Sequence, residues 1–131
     1  MCRSLTGAGL GPHDIDLILA EGCGTQECDR IEASAIARVF GDEATRVPVT
    51  APKSIYGHQF GASGVTETAC ALMAMQTGCL PPTANLDDPE PGLRFVSQPV
   101  QGPIKHALVN ARGREGVNAS LVVTKYADAT Y

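Results

Sequence analysis

Residues 15–40 read IDLILAEGCGTQECDRIEASAIARVF, and the order of patterns inside this stretch decides the fold class. IDLILA is a continuous apolar run of strand length, as expected for a strand buried on both faces. GCGTQEC follows as a turn. Ile31, Ala35, Ile36, Val39 and Phe40 then recur at helical spacing. Asp29, with Glu32 three residues on, reads as a capping-box-like start, so the pattern predicts a helix from about Arg30 to Phe40. Gly41 is the expected stop. Between strand and helix stands Glu21, directly before Gly-Cys-Gly.

The same alternation continues outward. GAGLGPHD precedes the strand as a loop broken by glycine and proline. VPVTA is a second short strand and KSIYGHQFGASG a glycine-rich loop. VTETACALMAMQTG is a second helix, apolar nearly all round and therefore expected to be buried, ending at Gly78. CLPPTANLDDPEPG is proline-rich and must be irregular or extended. HALVNA and SLVVTKY are strands joined by the turn RGREGVN. The order strand, helix, strand, helix, strand, strand is an α/β pattern with a hairpin closing the sheet.

The chain has 131 residues, which suits one domain, 1–131, with a small core built from Ala, Val, Leu and Ile. A net charge of -4 with scattered Lys and Arg argues against a nucleic-acid partner. No stretch is long enough to span a bilayer and the N-terminus has no signal-peptide pattern, so a cytoplasmic protein without membrane contact is expected. Five cysteines lack zinc-site spacing. Cys2, Cys28, Cys70 and Cys79 read as reduced structural thiols, and no metal is expected.

The densest chemistry lies in and after KSIYGHQFGASG. His58 precedes a small-residue helix entry, Gly61-Ala62-Ser63-Gly64, with Lys53 five residues before it and Glu67 in the helix's first turn. A base, a cation and a carboxylate converge on one loop–helix unit, a usable acid–base constellation. A histidine in such a loop also serves as a plain hydrogen-bonding plug.

Lys53, Ser54, Gly57, His58, Gly61, Ala62, Gly64 and Glu67, followed by Pro81, Pro82, Thr83 and Asn85, resemble the C-terminal half of the β-ketoacyl synthase family. AGLGPHDIDLILAEG resembles the segment leading to that family's first histidine loop, so the resemblance covers essentially the whole chain. It implies an α/β fold, the C-terminal half of a thiolase-like fold, with a mixed sheet packed by a buried helix and an outer helix. In that family a cysteine attacks the acyl thioester, and two histidines support decarboxylation and stabilise the oxyanion. His58 holds the second-histidine position. Ala20, Gly22, Gly24, Thr25, Asp29, Glu32 and Ala33 hold the first-histidine loop, but Glu21 stands where that histidine belongs. An ionised carboxylate cannot donate to an oxyanion. Cys23 replaces a threonine and is not the nucleophile. Lys53 and Glu67 are expected as a structural ion pair beneath the site, Glu21 as a solvated or hydrogen-bonded loop acid, and Asp29 and Glu32 as a helix cap.

In RGREGVNA, Arg114 and Glu115 depart from the family's Gly-Phe-Gly-Gly pattern, while Gly113, Gly116 and Asn118 remain. The resemblance implies substrate contacts at Thr25, Arg114 and Asn118. Arg112 and Arg114 also read as plain hairpin-turn charges, with the phosphopantetheine phosphate or carrier-protein acids as the alternative contact. This segment is closest to the chain-length-factor branch of type II polyketide synthases, whose members are catalytically incomplete and pair with an active ketosynthase. His58 and Lys53 are retained, whereas that branch often loses them.

The implied role is polyketide or fatty-acid chain building by decarboxylative Claisen condensation on an acyl carrier protein. No soluble cofactor is implied, since the acyl groups ride on phosphopantetheine thioesters. The implied partners are the carrier protein and a ketosynthase subunit or N-terminal half, in a homo- or hetero-oligomer. Full chains of that family run to about three times this length, so a fragment, a split gene product or a truncated reading frame is expected. Two other readings stay open. One is the C-terminal half of an active condensing enzyme, and the other is a non-enzymatic remnant.

Overall fold

A computed structural model of the chain describes residues 1–113 and 116–126. The elements are α1 (Cys2–Ala8), β1 (Leu17–Leu19), α2 (Gln26–Phe40), β2 (Pro48–Thr50), α3 (Lys53–Tyr56), α4 (Ser63–Thr77), β3 (Cys79–Leu80), β4 (Arg94–Phe95), β5 (Val100–Gln101), β6 (His106–Arg112) and β7 (Asn118–Thr124). The main sheet runs β4-β2-β1-β6-β7. Its first four strands are parallel, and β7 closes the edge antiparallel to β6. β3 and β5 form a separate antiparallel pair.

β1 is apolar throughout because both of its faces are covered. Ile18 turns to the α2 side, where it packs with Leu5, Ile36, Phe40, Val49 and Leu108. Leu17 and Leu19 turn to the α4 side, among Ala71, Ala74, Met75, Ala107 and Val109. Alternation along β1 and β6 thus feeds two cores, one on each side of the sheet. Deep burial at Leu17, Ile18, Leu19 and Leu108 contributes roughly 1.5–3 kcal/mol for each side chain.

Two helices differ from their expected form. α2 starts at Gln26 rather than near Arg30. Thr25 has the extended backbone of an N-cap, and Glu27 and Asp29 fall inside the first turn, where negative charge suits the helix dipole. Asp29 therefore does not cap a helix beginning at residue 30. Its carboxylate instead receives the N–H of Gly24 at 3.3 Å. α4 starts two residues earlier than expected, at Ser63, which places Glu67 beyond its first turn, and it is buried on one face. Ser63, Glu67, Ala71, Ala74 and Met75 face the sheet, whereas Val65, Leu72 and Met73 are 75%, 52% and 64% exposed. The all-round apolar pattern promised two covers, and the described residues supply one.

The glycine-rich loop contains a short helix, α3, and a 3-10 turn at Phe60–Ala62. The proline-rich segment is tied down through Thr83. Its hydroxyl accepts the Ala51 N–H at 2.9 Å and its own N–H donates to the Val96 carbonyl at 2.7 Å. No helix is long and apolar enough to cross a membrane among the described residues.

Candidate active site

The site forms where β1 and β2 end. These strands are parallel neighbours, with Leu19 paired to Thr50, so the segments leaving their C-terminal ends emerge side by side. That edge is the usual place for a site in an open parallel sheet. The segment after β1 carries Glu21. The segment after β2 carries Lys53 on α3, then His58 and, one turn into α4, Glu67.

Four side chains meet there. Lys53 Nζ lies 2.9 Å from Glu21 Oε2 and 3.0 Å from Glu67 Oε1. Glu21 Oε1 lies 2.6 Å from His58 Nε2. Lys53, Glu21 and Glu67 are buried, and the His58 side chain is 28% exposed. Lys53 and Glu67 form the expected ion pair. Of the two forms expected for Glu21, a solvated or a hydrogen-bonded loop acid, the structure shows the second, with a buried carboxyl held by Lys53 and His58. The cause is the strand register, which delivers residue 21 beside the lysine and histidine of the adjacent segment.

The His58 ring has a defined orientation. Its Nδ1 accepts the backbone N–H of Phe60 at 3.0 Å, so the ring proton sits on Nε2 and is donated to Glu21. Phe60 makes this contact from a left-handed backbone, φ 51°, a costly conformation for a bulky residue. Its ring meets the imidazole edge-on at 5.3 Å.

Glu67 is the least comfortable member. Neither of its carboxylate oxygens has an aligned hydrogen-bond partner among the described residues, although Lys53 is within ion-pair distance. Burial pushes its carboxyl up to about 7, Lys53 opposes the rise, and the charges of Glu21 and Glu32 add to it. Two carboxylates thus share one buried ammonium, and Glu67 is the one that gives way.

Glu32, expected to cap a helix, instead positions the first loop. Its carboxylate accepts the N–H groups of Glu21 at 2.8 Å and Gly22 at 2.9 Å, and the Asn110 side-chain amide at 3.0 Å. Asn110 is braced in turn by the Ser120 hydroxyl at 2.8 Å. One signal could have found it, since Glu32, Ile36 and Phe40 fall at i, i+4 and i+8. A carboxylate on the apolar face of a helix is expected to have a partner. Gly22 is required in the same loop. Its φ is +46°, and a Cβ there would come within 2.8 Å of the Ala51 Cβ.

The remaining expected residues lie outside the cluster. Thr25 is exposed, with its hydroxyl 3.3 Å from Cys23 Sγ. Asn118 is exposed at the start of β7, and its side-chain amide donates to the Gly116 carbonyl at 2.9 Å. It helps to line a cavity of about 270 Å³ that reaches Glu21, Cys23, Cys28, Asn110 and Arg112. Arg114 lies outside the described residues. Among the described residues no group of three or more His, Cys, Asp or Glu side chains could hold a metal ion.

With that geometry in place, comparison with known proteins is specific. Residues 1–87 match the family model "Beta-ketoacyl synthase, C-terminal domain". The chain is 37% identical over 131 residues to a 3-oxoacyl-[acyl-carrier-protein] synthase 2 of Coxiella burnetii, with 98% of this chain and 32% of that protein covered. It is 38% identical to the tetracenomycin polyketide synthase ketoacyl synthase beta subunit of Streptomyces glaucescens, covering 94% of this chain and 30% of that one. The chain thus spans about a third of the length of the curated relatives it matches.

Among solved structures, it superposes with a TM-score of 0.90 and 28% identity on a type II polyketide synthase acyl-carrier protein complex with its ketosynthase bound to the hexaketide. That match covers 96% of this chain and 32% of that one. The ishigamide ketosynthase/chain length factor gives a TM-score of 0.87 at 32% identity, covering 94% and 31%. These neighbours have the thiolase-like fold, of which the mixed sheet between α2 and α4 is one part.

Proposed function

Since the chain belongs to the β-ketoacyl synthase C-terminal domain family, we propose that it serves decarboxylative Claisen condensation as a catalytically incomplete partner, in the manner of a chain length factor. Residues 1–131 are the ketosynthase C-terminal domain in this reading. An active ketosynthase subunit or a cysteine-bearing N-terminal half supplies the nucleophile. The growing and extending acyl groups arrive on the phosphopantetheine of an acyl carrier protein, with no metal or soluble cofactor. The relatives named for polyketide and fatty-acid synthesis, and the solved complex of a ketosynthase with its carrier protein, support this setting.

The contact between Glu21 and His58 carries the reading. Decarboxylation and condensation place negative charge on a thioester oxygen, which needs hydrogen-bond donors aimed at it. His58 Nε2 is the donor available at this site, and it already serves the Glu21 carboxylate at 2.6 Å. Its other nitrogen is occupied by Phe60. Lys53 is likewise held by Glu21 and Glu67. The chain's own carboxylate thus satisfies the groups that would stabilise the oxyanion, and it adds a like charge where the substrate's charge would build.

Retention of Lys53, His58 and Glu67 as one cluster favours a second reading, the C-terminal half of a competent condensing enzyme. One experiment separates the two. The chain is combined with a cysteine-bearing N-terminal half and supplied with malonyl-carrier protein, and carbon dioxide release is compared among Glu21, Glu21→His and Glu21→Gln proteins. The incomplete-partner reading expects a silent Glu21 protein and a gain of about two orders of magnitude in Glu21→His, the usual worth of one oxyanion donor. Turnover by the Glu21 protein that Glu21→Gln abolishes would make Glu21 a working acid or base and establish the second reading.

A further inference from the structure

The loop that carries Glu21 also carries a thiol, and the first turn of α2 carries another. Cys23 and Cys28 are both free and half-buried. Both line the 270 Å³ cavity, with Asn110 and Arg112 on the wall formed by β6. Thr25 stands between them in the chain. Its hydroxyl lies 3.3 Å from Cys23 Sγ, and as the N-cap of α2 Thr25 stands three residues before Cys28. Cys23 and Cys28 thus share one loop–helix junction and one cavity wall. Cys2, Cys70 and Cys79 show no such pairing among the described residues.

The two thiols are unequal. Cys28 is held below the ordinary thiol range by the Thr25 hydroxyl, next by Cys23, with a smaller contribution from the Arg112 charge. It is the third residue of α2, where the helix dipole also favours a thiolate. Cys23 is pushed upward by burial, with further contributions from Cys28 and the Asp29 charge, against the lowering effect of Thr25. A thiol that ionises readily and can be reached by solvent, beside one that does not, is the arrangement of an attacking and a resolving cysteine.

We propose that Cys28 and Cys23 form a redox-modification site that takes a low-molecular-weight disulfide. The Cys28 thiolate attacks one sulfur of the disulfide. The S–S bond breaks, one thiolate leaves with the electron pair and takes a proton from solvent, and Cys28 carries the mixed disulfide. Cys23 then loses its proton to solvent and attacks Cys28 Sγ, releasing the second small thiol. The protein dithiol is oxidised by two electrons and the small disulfide is reduced to two thiols. The Cys23–Cys28 bond cross-links the Glu21 loop to the first turn of α2 and narrows the cavity between them. This site is independent of the condensation reading, because neither sulfur acts on the acyl thioester.

The test uses the reduced full chain in buffers of graded glutathione to glutathione-disulfide ratio at neutral pH. Samples are acid-quenched and alkylated, and their peptides are mapped by mass spectrometry. The expected result is an internal bond between Cys23 and Cys28 while Cys2, Cys70 and Cys79 still alkylate. Cys23→Ser should trap glutathione on Cys28, and Cys28→Ser should slow modification of Cys23 by roughly tenfold or more. Serine is close in size to cysteine, so both variants retain the cavity, which matching circular dichroism spectra check. Glutathione appearing first on exposed Cys2 with the pair still reduced would overturn the proposal. So would mixed disulfides at Cys23 and Cys28 that never close, or Cys23 reacting as fast in Cys28→Ser as in the parent.

Discussion

Replacing Glu67 with glutamine should change how the stability of this protein depends on pH. Glu67 is fully buried, without an aligned hydrogen-bond partner among the described residues, and its carboxyl is pushed from 4.5 to about 7 by that burial. Below about pH 4.5 both folded and unfolded chains hold the proton and the group costs nothing. Between about 4.5 and 7 the folded chain keeps a proton that the unfolded chain has released, so stability falls as pH rises. Above about 7 the folded chain must bury the charge and the full cost applies. A displacement from 4.5 to about 7, at about 1.4 kcal/mol for each pH unit, comes to roughly 3 kcal/mol. Glutamine has the shape of the protonated acid and does not titrate. Urea unfolding of parent and Glu67→Gln at matched ionic strength, from about pH 4 to 8, should therefore show the variant gaining on the parent by roughly 3 kcal/mol across the range. Groups remote from Glu67 titrate alike in both proteins and cancel in the difference. Parallel curves would refute the reasoning. They would mean that attraction to Lys53 keeps Glu67 ionised throughout and outweighs its burial.

The first-loop glycines should differ in their tolerance of a side chain. Gly22→Ala combines a φ of +46° with a 2.8 Å approach to the Ala51 Cβ, and should lower unfolding stability by roughly 2–3 kcal/mol. Gly24→Ala has a φ of +81° and nothing within 4 Å of its Cβ, so it should cost only about 1 kcal/mol of backbone strain. Equal costs in urea unfolding would show that the loop shifts away from Ala51. The exposed apolar face of α4 should make the chain self-associate. Val65→Lys with Met73→Glu should reduce the apparent mass in light scattering across a concentration series, and a parent protein monomeric throughout that series would contradict the expectation.

The local rules written in the sequence were sufficient for the frame. IDLILA reads as a strand covered on both faces, and its centre, Leu17–Leu19, is one, fully buried between the two cores. The hairpin at HALVNA and SLVVTKY and the two helices follow from spacing in the same way, and the motif around His58 placed the chain in its family. Helix boundaries were less legible. α2 begins four residues early because the extended backbone of Thr25 and acids in the first turn outweigh a capping-box pattern that fits equally well one turn later. Tertiary structure alone decided what Glu21 does. Its neighbours in sequence are glycine and alanine, whereas its partners, Lys53 and His58, are 32 and 37 residues away and meet it only because β1 and β2 pair in parallel at Leu19 and Thr50. Glu32 was hidden for the same reason, since the N–H groups it holds belong to a loop eleven and ten residues upstream. Sequence patterns report which face of an element is dry. Partners across the sheet, and the charges they share, depend on strand order and register, which no single segment encodes.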